Sequence, residues 1–167
     1  DRMRDVLGVD QMVFGPSVDV LRKLNRIGFE LMGDMNWHCH AGIKIVPVRT
    51  AVQLNIPLLV WGEITWTVAG MFSSDDYVEY NKRTVMEHDL RGFSWQDMVG
   101  KYDLTAQDLL WLRFPSDEDL ERVGVRGIYV GNYFKWDPNE HAKLMHENYQ
   151  FEFARQEFER TYRTMSN

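Results

Sequence analysis

The chain has 167 residues, 44% hydrophobic and 13% aromatic, enough for one folded domain with a real core and too apolar for a disordered segment. Its formal charge of -6, with acids and bases interspersed, argues against a nucleic-acid surface, which needs a basic face, and no apolar run approaches the ~18 residues of a membrane span. A single cysteine excludes an internal disulfide, no signal-peptide pattern opens the chain, and a reducing, cytoplasmic setting is expected.

The first expected element is a short strand over Gln11 to Gly15, an apolar run flanked by turn signals. Ser17 then caps a helix whose buried face is Val20, Leu21, Leu24, Ile27, Leu31 and Met32, and Gly33-Asp34 ends it. Met35 to Gly42 reads as a loop. Pro47 fits the first turn of a helix running to about Asn55, where its missing N–H costs nothing. Ile56 to Trp61 is continuously apolar, as in a strand covered on both faces.

A different texture follows. Asp75 to Arg91 reads as a polar helix and Ser94 to Val99 as a short one. Thr105 caps Ala106 to Leu112, and Ser116 caps Asp117 to Val123. Together these form a helical insertion over about Phe72 to Gly124 within a single, incomplete α/β domain spanning 1–167. Val125 to Tyr133 returns to strand character, and Asp137-Pro138-Asn139-Glu140 starts a helix reaching about Tyr149. The tail, Phe151 to Asn167, alternates aromatic and charged residues. Strand, helix and strand in this order point to a parallel sheet with right-handed crossovers.

In such a sheet ligands sit beyond the carboxyl ends of strands, which singles out Gly62-Glu63 and Asn132. Gly62 would let a ligand approach the backbone, and the Glu63 carboxylate would hold Mg²⁺, a ribose or an amine; the plainer alternative is a strand-to-loop turn. Arg49, near the expected helix start, would clamp phosphate, or else form a surface ion pair with Glu63 or Glu30. His38-Cys39-His40 reads as a metal site, a nucleophilic thiolate, or an inert cysteine beside loop histidines; consecutive residues seldom bind one ion, and no second cluster matches, so no metal ligands are assigned. Asp137 is most simply a helix cap, His141 faces a ligand or solvent, and Trp61 and Trp66 flank the Gly-Glu corner as stacking candidates. Neither a GxGxxG nor a GxxxxGKS phosphate loop is present.

Three stretches together resemble N-acetyl sugar amidotransferases of the PP-loop ATP pyrophosphatase superfamily: HCHAGIKIVPVRTAVQLNIPLLVWGEITW, GMFSSDDYVEYNKRTVMEHDLRGFSW and RGIYVGNYFKWDPNEHAKLMHENYQFE. The WGE corner and the EYNKRTVMEHDLRGF and WDPNEHAKLM segments carry most of the likeness. The resemblance implies a Rossmann-like adenine nucleotide hydrolase sheet and a role in bacterial surface-polysaccharide (lipopolysaccharide O-antigen) synthesis. It also implies ATP with Mg²⁺, a nucleotide-linked N-acetyl sugar as substrate, and ammonia from a partner glutaminase. By position, Arg49 would touch phosphate, and Gly62 and Glu63 would line the nucleotide or metal site, with Arg49 and Glu63 catalytic; Asn132, from its place at a strand end, is a further candidate for binding the nucleotide. Some sulfur-transferring relatives carry a cysteine near the place of Cys39. The ATP-binding signature of the family is missing and is expected N-terminal to Asp1, so the chain reads as the middle-to-late part of the enzyme, inactive alone. The rival readings are another PP-loop activity such as sulfur transfer, and a non-catalytic module that docks a glutaminase. An open sheet edge makes a homo-oligomer a further expectation.

Overall fold

The computed structural model of the chain describes residues 2–62, 79–135 and 137–152. They belong to two units, Asp1–Val13 with Trp136–Asn167, and Phe14–Lys135. The first unit begins with helix α1 (Arg2–Leu7). The expected strand at Gln11 to Gly15 does not form: those residues are irregular, and Met12, Val13 and Phe14 are exposed. Five apolar-leaning residues make a strand only beside a hydrogen-bonding neighbour, and among the described residues none pairs with them.

In the second unit helix α2 (Val18–Met32) begins after Ser17 as expected, but the Ser17 side chain makes no capping hydrogen bond; Val20, Leu24 and Ile27 are buried while Leu31 is exposed. Gly33, at φ 68°, stops the helix, and Asp34 N–H folds back onto the Gly28 carbonyl at 3.2 Å. That return brings backbone so close to Gly28 that a Cβ there would lie 2.3 Å from the Asp34 oxygen.

Helix α3 (Trp37–Leu54) corrects two expectations at once. Most of the expected loop Met35 to Gly42 is helical, and Pro47 stands inside the helix, not in its first turn. The cause is a single buried stripe running through the proline: Trp37, Ala41, Lys44, Ile45, Val48 and Ala51. Pro47 removes the bond to the carbonyl four residues back, but that residue, Ile43, is 59% exposed, so water can serve the vacated acceptor. Asn55 ends the helix at φ 54°.

Strand β1 (Leu58–Trp61) pairs in parallel with β3 (Arg126–Tyr129), and β2 (Glu79–Tyr80) pairs antiparallel with β3, giving the order β1-β3-β2. The sheet is therefore mixed. β1 is not covered on both faces: Leu58 and Val60 are 49% and 58% exposed, because among the described residues α3 covers only the other side.

Within the expected polar helix Asp75 to Arg91, the described part is instead β2, a single helical turn α4 (Lys82–Thr84) capped by Asn81, and a π-turn (Val85–Asp89). Short 3₁₀ turns follow at Trp95–Met98, Lys101–Asp103 and Gln107–Leu112, then helix α5 (Asp117–Val123). Ser116 Oγ accepts from Asp119 N–H, as the sequence indicates, and Ser94 and Asp97 add a reciprocal capping box. One core joins α2, α3 and this region: Leu24, Ile27, Trp37, Ile45, Met98 and Leu109 are nearly inaccessible. Trp37 Nε1–H donates to the Leu90 carbonyl at 2.9 Å, tying the start of α3 to the residue after the π-turn.

In the first unit, helix α6 (Pro138–Tyr149) starts as expected, with Asp137 accepting from the N–H groups of Asn139 and Glu140, both at 3.1 Å. Most of the tail, with Glu63 to Val78 and Trp136, lies outside the described residues.

Gly28→Ala is expected to lower stability by about 2 to 3 kcal/mol, since the neighbour that must move is backbone. Urea unfolding followed by circular dichroism checks this; an unchanged midpoint would contradict the close approach of Asp34.

Candidate functional site

The parallel pair β1–β3 has the register Trp61↔Tyr129, so Gly62 and Val130 leave the sheet side by side. The 3₁₀ turn Val130–Asn132 lies immediately beyond. Two expected site residues, Gly62 and Asn132, thus share one carboxyl edge. A Cβ built on Gly62 meets nothing within 4 Å among the described residues. Glu63 and Trp66 lie outside the described residues.

Beneath this edge sits a charge that sequence reasoning missed. Lys44 of α3 is only 6% exposed, and its Nζ lies 4.6 Å from the Trp61 ring centroid and 5.6 Å from that of Tyr129. Electron-rich ring faces offset part of the cost of removing an ammonium from water. Trp61 in turn stacks on Tyr80 at 5.4 Å, and the Tyr80 hydroxyl donates to the Lys44 carbonyl at 3.3 Å. The stack closes over Gly127, where a Cβ would lie 2.6 Å from Tyr80 Cβ and 3.1 Å from Trp61 Nε1. Burial, then the neighbouring Tyr129 and Asp89, push the Tyr80 phenol above its ordinary range.

Asp89, at the end of the π-turn, faces the same region and is 6% exposed. Its Oδ1 lies 3.7 Å from His88 Nδ1, and its Oδ2 has no hydrogen-bond partner among the described residues. Burial raises its pKa to about 7, against a smaller downward pull from Lys44. Burial, followed by the Arg91 charge, lowers the pKa of His88. A carboxyl group poised near neutrality beside a buried ammonium is the kind of pairing found where proton transfer or charge stabilisation is needed. The only sequence signal for Lys44 was a lysine amid apolar neighbours, Ile43-Lys44-Ile45. Asp89 gave none.

Arg49 goes elsewhere. It lies five residues beyond Lys44, about 140° round the helix. Its Nη1 donates to the carbonyls of Leu110 and Arg113, at 2.7 and 2.8 Å. It lines a groove with Val52, Gln53, Phe114, Ser116 and Asp119. These contacts are with the segment leading through α5 into the amino end of β3.

The His38-Cys39-His40 run opens α3 and does not converge. His38 Nε2 donates to Asn25 Oδ1 at 2.5 Å, and its Nδ1 lies 3.1 Å from Cys39 Sγ, where it can accept from the thiol. Burial, then the Asp34 carboxylate, push the Cys39 thiol up, and burial followed by His40 pushes His38 down. Both shifts oppose a thiolate–imidazolium pair. His40 turns to Asp34 at 3.5 Å, which is also bound by Arg91 at 3.0 Å. Among the described residues no group of three or more His, Cys, Asp or Glu is placed to hold a metal ion. Asp137 caps α6, and His141 lies on that helix.

No family model matches the sequence, and no curated protein matches it significantly. Among the described residues no helix is long and apolar enough to cross a membrane.

The folded state keeps a proton on Asp89 up to about pH 7, whereas the unfolded chain releases it near pH ~4. Folding therefore takes up a proton between these values, and stability falls as pH rises through them, by up to about 4 kcal/mol. Asp89→Asn is expected to leave stability nearly unchanged at pH 4 and to raise it by about 2 to 4 kcal/mol at pH 8. Denaturant midpoints across that range test this; parallel curves for the two proteins would refute it.

Proposed function

We propose that the chain is part of an ATP-dependent amidotransferase that converts the N-acetyl group of a nucleotide-linked sugar to an acetamidino group. In the net reaction the acetamido sugar, ammonia and ATP give the acetamidino sugar, AMP and pyrophosphate, with ammonia supplied by a glutaminase. The observation that carries this reading is the shared carboxyl edge of the parallel β1–β3 pair, where Gly62 and Asn132 stand together at the place open α/β sheets take ligands. The resemblance of the WGE, EYNKRTVMEHDLRGF and WDPNEHAKLM segments, in chain order, supports it. A Rossmann-like sheet is part of the same proposal, supported by the α3–β1 succession and the parallel pairing with β3.

The described residues do not fit a Mg²⁺-bound triphosphate. They offer no cluster of metal-ligating side chains, Arg49 spends Nη1 on two backbone carbonyls, and no glycine-rich loop is present. Their part in the proposal is at the sugar: Gly62 admits a ligand against the backbone, and Asn132 brings an amide that can match an acetamido group. The Lys44 ammonium behind Trp61 and Tyr129 biases the edge toward negative charge on the acyl oxygen.

The test uses the gene product with any sequence upstream of Asp1, mixed with ATP, Mg²⁺, ammonium and a panel of nucleotide-linked N-acetyl sugars. AMP release that depends on one sugar, with that sugar losing one mass unit (~1 Da, oxygen replaced by NH), is the expected result. No AMP with any sugar would overturn the proposal. In the same assay Cys39→Ala is expected to keep at least half of the activity, because its thiol is held protonated; abolished turnover would favour a sulfur-transfer route instead.

A further inference from the structure

The groove that holds Arg49 has features that the strand-edge site does not explain. It encloses about 470 Å³ and is lined by Arg49, Gln53, Arg113, Phe114, Ser116 and Asp119 among others. Two guanidinium groups serve it. Both hydrogens of Arg49 Nη1 are used, on the carbonyls of Leu110 and Arg113, which fixes the plane of the group. Its Nε and Nη2 have no acceptor among the described residues, and the Arg113 side chain has neither a hydrogen bond nor an ion pair there. Burial, then the charge of Arg113, disfavours the protonated form of Arg49, so the two cations sit close enough to repel.

The one carboxylate lining the groove, Asp119, offsets only part of this positive charge: the Ser116 hydrogen bond, then Arg122 and the charge of Arg113, hold it below its ordinary range. Asp119 Oδ2 accepts from Ser116 Oγ at 2.9 Å, and its Oδ1 accepts from Arg122 Nη2 at 3.3 Å. Three guanidinium groups, Arg49, Arg113 and Arg122, thus share one carboxylate, leaving an excess of two positive charges. Like charges brought together in a partly desolvated groove are costly unless an anion joins them. The natural partner for two guanidiniums is a group with two negative charges and several acceptor oxygens, and a phosphate ester carries about that charge at neutral pH. A single carboxylate would neutralise only one of them. The apolar wall of Val52, Leu110, Phe114 and Pro115 leaves room for an organic portion.

We infer that the groove between α3 and the 110–119 segment binds the phosphate group of a phosphorylated small molecule, gripped between Arg49 and Arg113. This site is separate from the Gly62–Asn132 edge, and it stands whether or not the amidotransferase reading holds. It would place an anionic metabolite on the opposite flank of the helix that carries Lys44.

Isothermal titration of the 167-residue chain with inorganic pyrophosphate tests it, with acetate as the singly charged comparison. Pyrophosphate is expected to bind, and acetate to bind at least tenfold more weakly. Arg113→Gln is expected to weaken pyrophosphate at least tenfold with an unchanged thermal midpoint, because Arg113 is exposed and its carbonyl, not its side chain, anchors Arg49. Arg49→Gln should lose binding too, though it also removes the two backbone bonds, so Arg113→Gln decides the question. Asn132→Ala should leave pyrophosphate affinity unchanged. Absence of binding, equal affinity for acetate, or full affinity in Arg113→Gln would each overturn the inference.

Discussion

The second unit is organised around the burial of one ammonium group. A lysine inside a protein is tolerated only when its charge is met by dipoles, rings or counter-charge, since the bare cost of removing it from water is several kcal/mol. Here Lys44 meets the faces of Trp61 and Tyr129, and Asp89 approaches from the π-turn. Those three groups belong to β1, β3 and the segment after α4, so supporting one charge fixes α3 against two strands and a turn. Tyr80 closes the arrangement from β2, and Gly127 leaves the space for its stack with Trp61.

Helix α3 can serve as this organiser because its buried stripe is unbroken. A proline in its middle forfeits one backbone bond, yet the residues on either side of it continue to bury the same face. The helix then presents different chemistry to different neighbours: Lys44 toward the sheet, and Arg49 toward the carbonyls of the 110–113 turn. One rigid element separates two positively charged environments that a linear reading of the sequence would have merged into a single phosphate site.

That separation shows where the sequence was legible and where it was not. Local hydrogen bonding was readable: Ser116 with Asp119, Asp137 with the residues after it, and the stops at Gly33 and Asn55 all follow from neighbours a few positions away. Strand ends were readable too, so Gly62 and Asn132 emerged as a pair. Pro47 misled because its intrinsic preference was outweighed by tertiary burial, and Gln11 to Gly15 misled because strand formation depends on a partner no local pattern reveals. The acceptors that claim Arg49 are main-chain oxygens far along the chain, which no side-chain motif marks. Lys44 and Asp89 were invisible as a pair for the same reason: their meeting is a product of the fold.

The π-turn at Val85–Asp89 carries one more implication. Its wide closure, with Leu90 N–H reaching the Val85 carbonyl at 2.9 Å, accommodates one residue more than an α-helical turn would over the same path. Deleting a single residue there would let ordinary α-helix continue, rotating everything beyond by about 100°. Leu90, whose carbonyl receives the Trp37 indole, and Asp89, which faces Lys44, would both swing out of place. The turn thus acts as a spacer that sets the phase between two halves of the unit. A one-codon deletion in it would be felt at the start of α3 and at the sheet, well away from the site of the lesion.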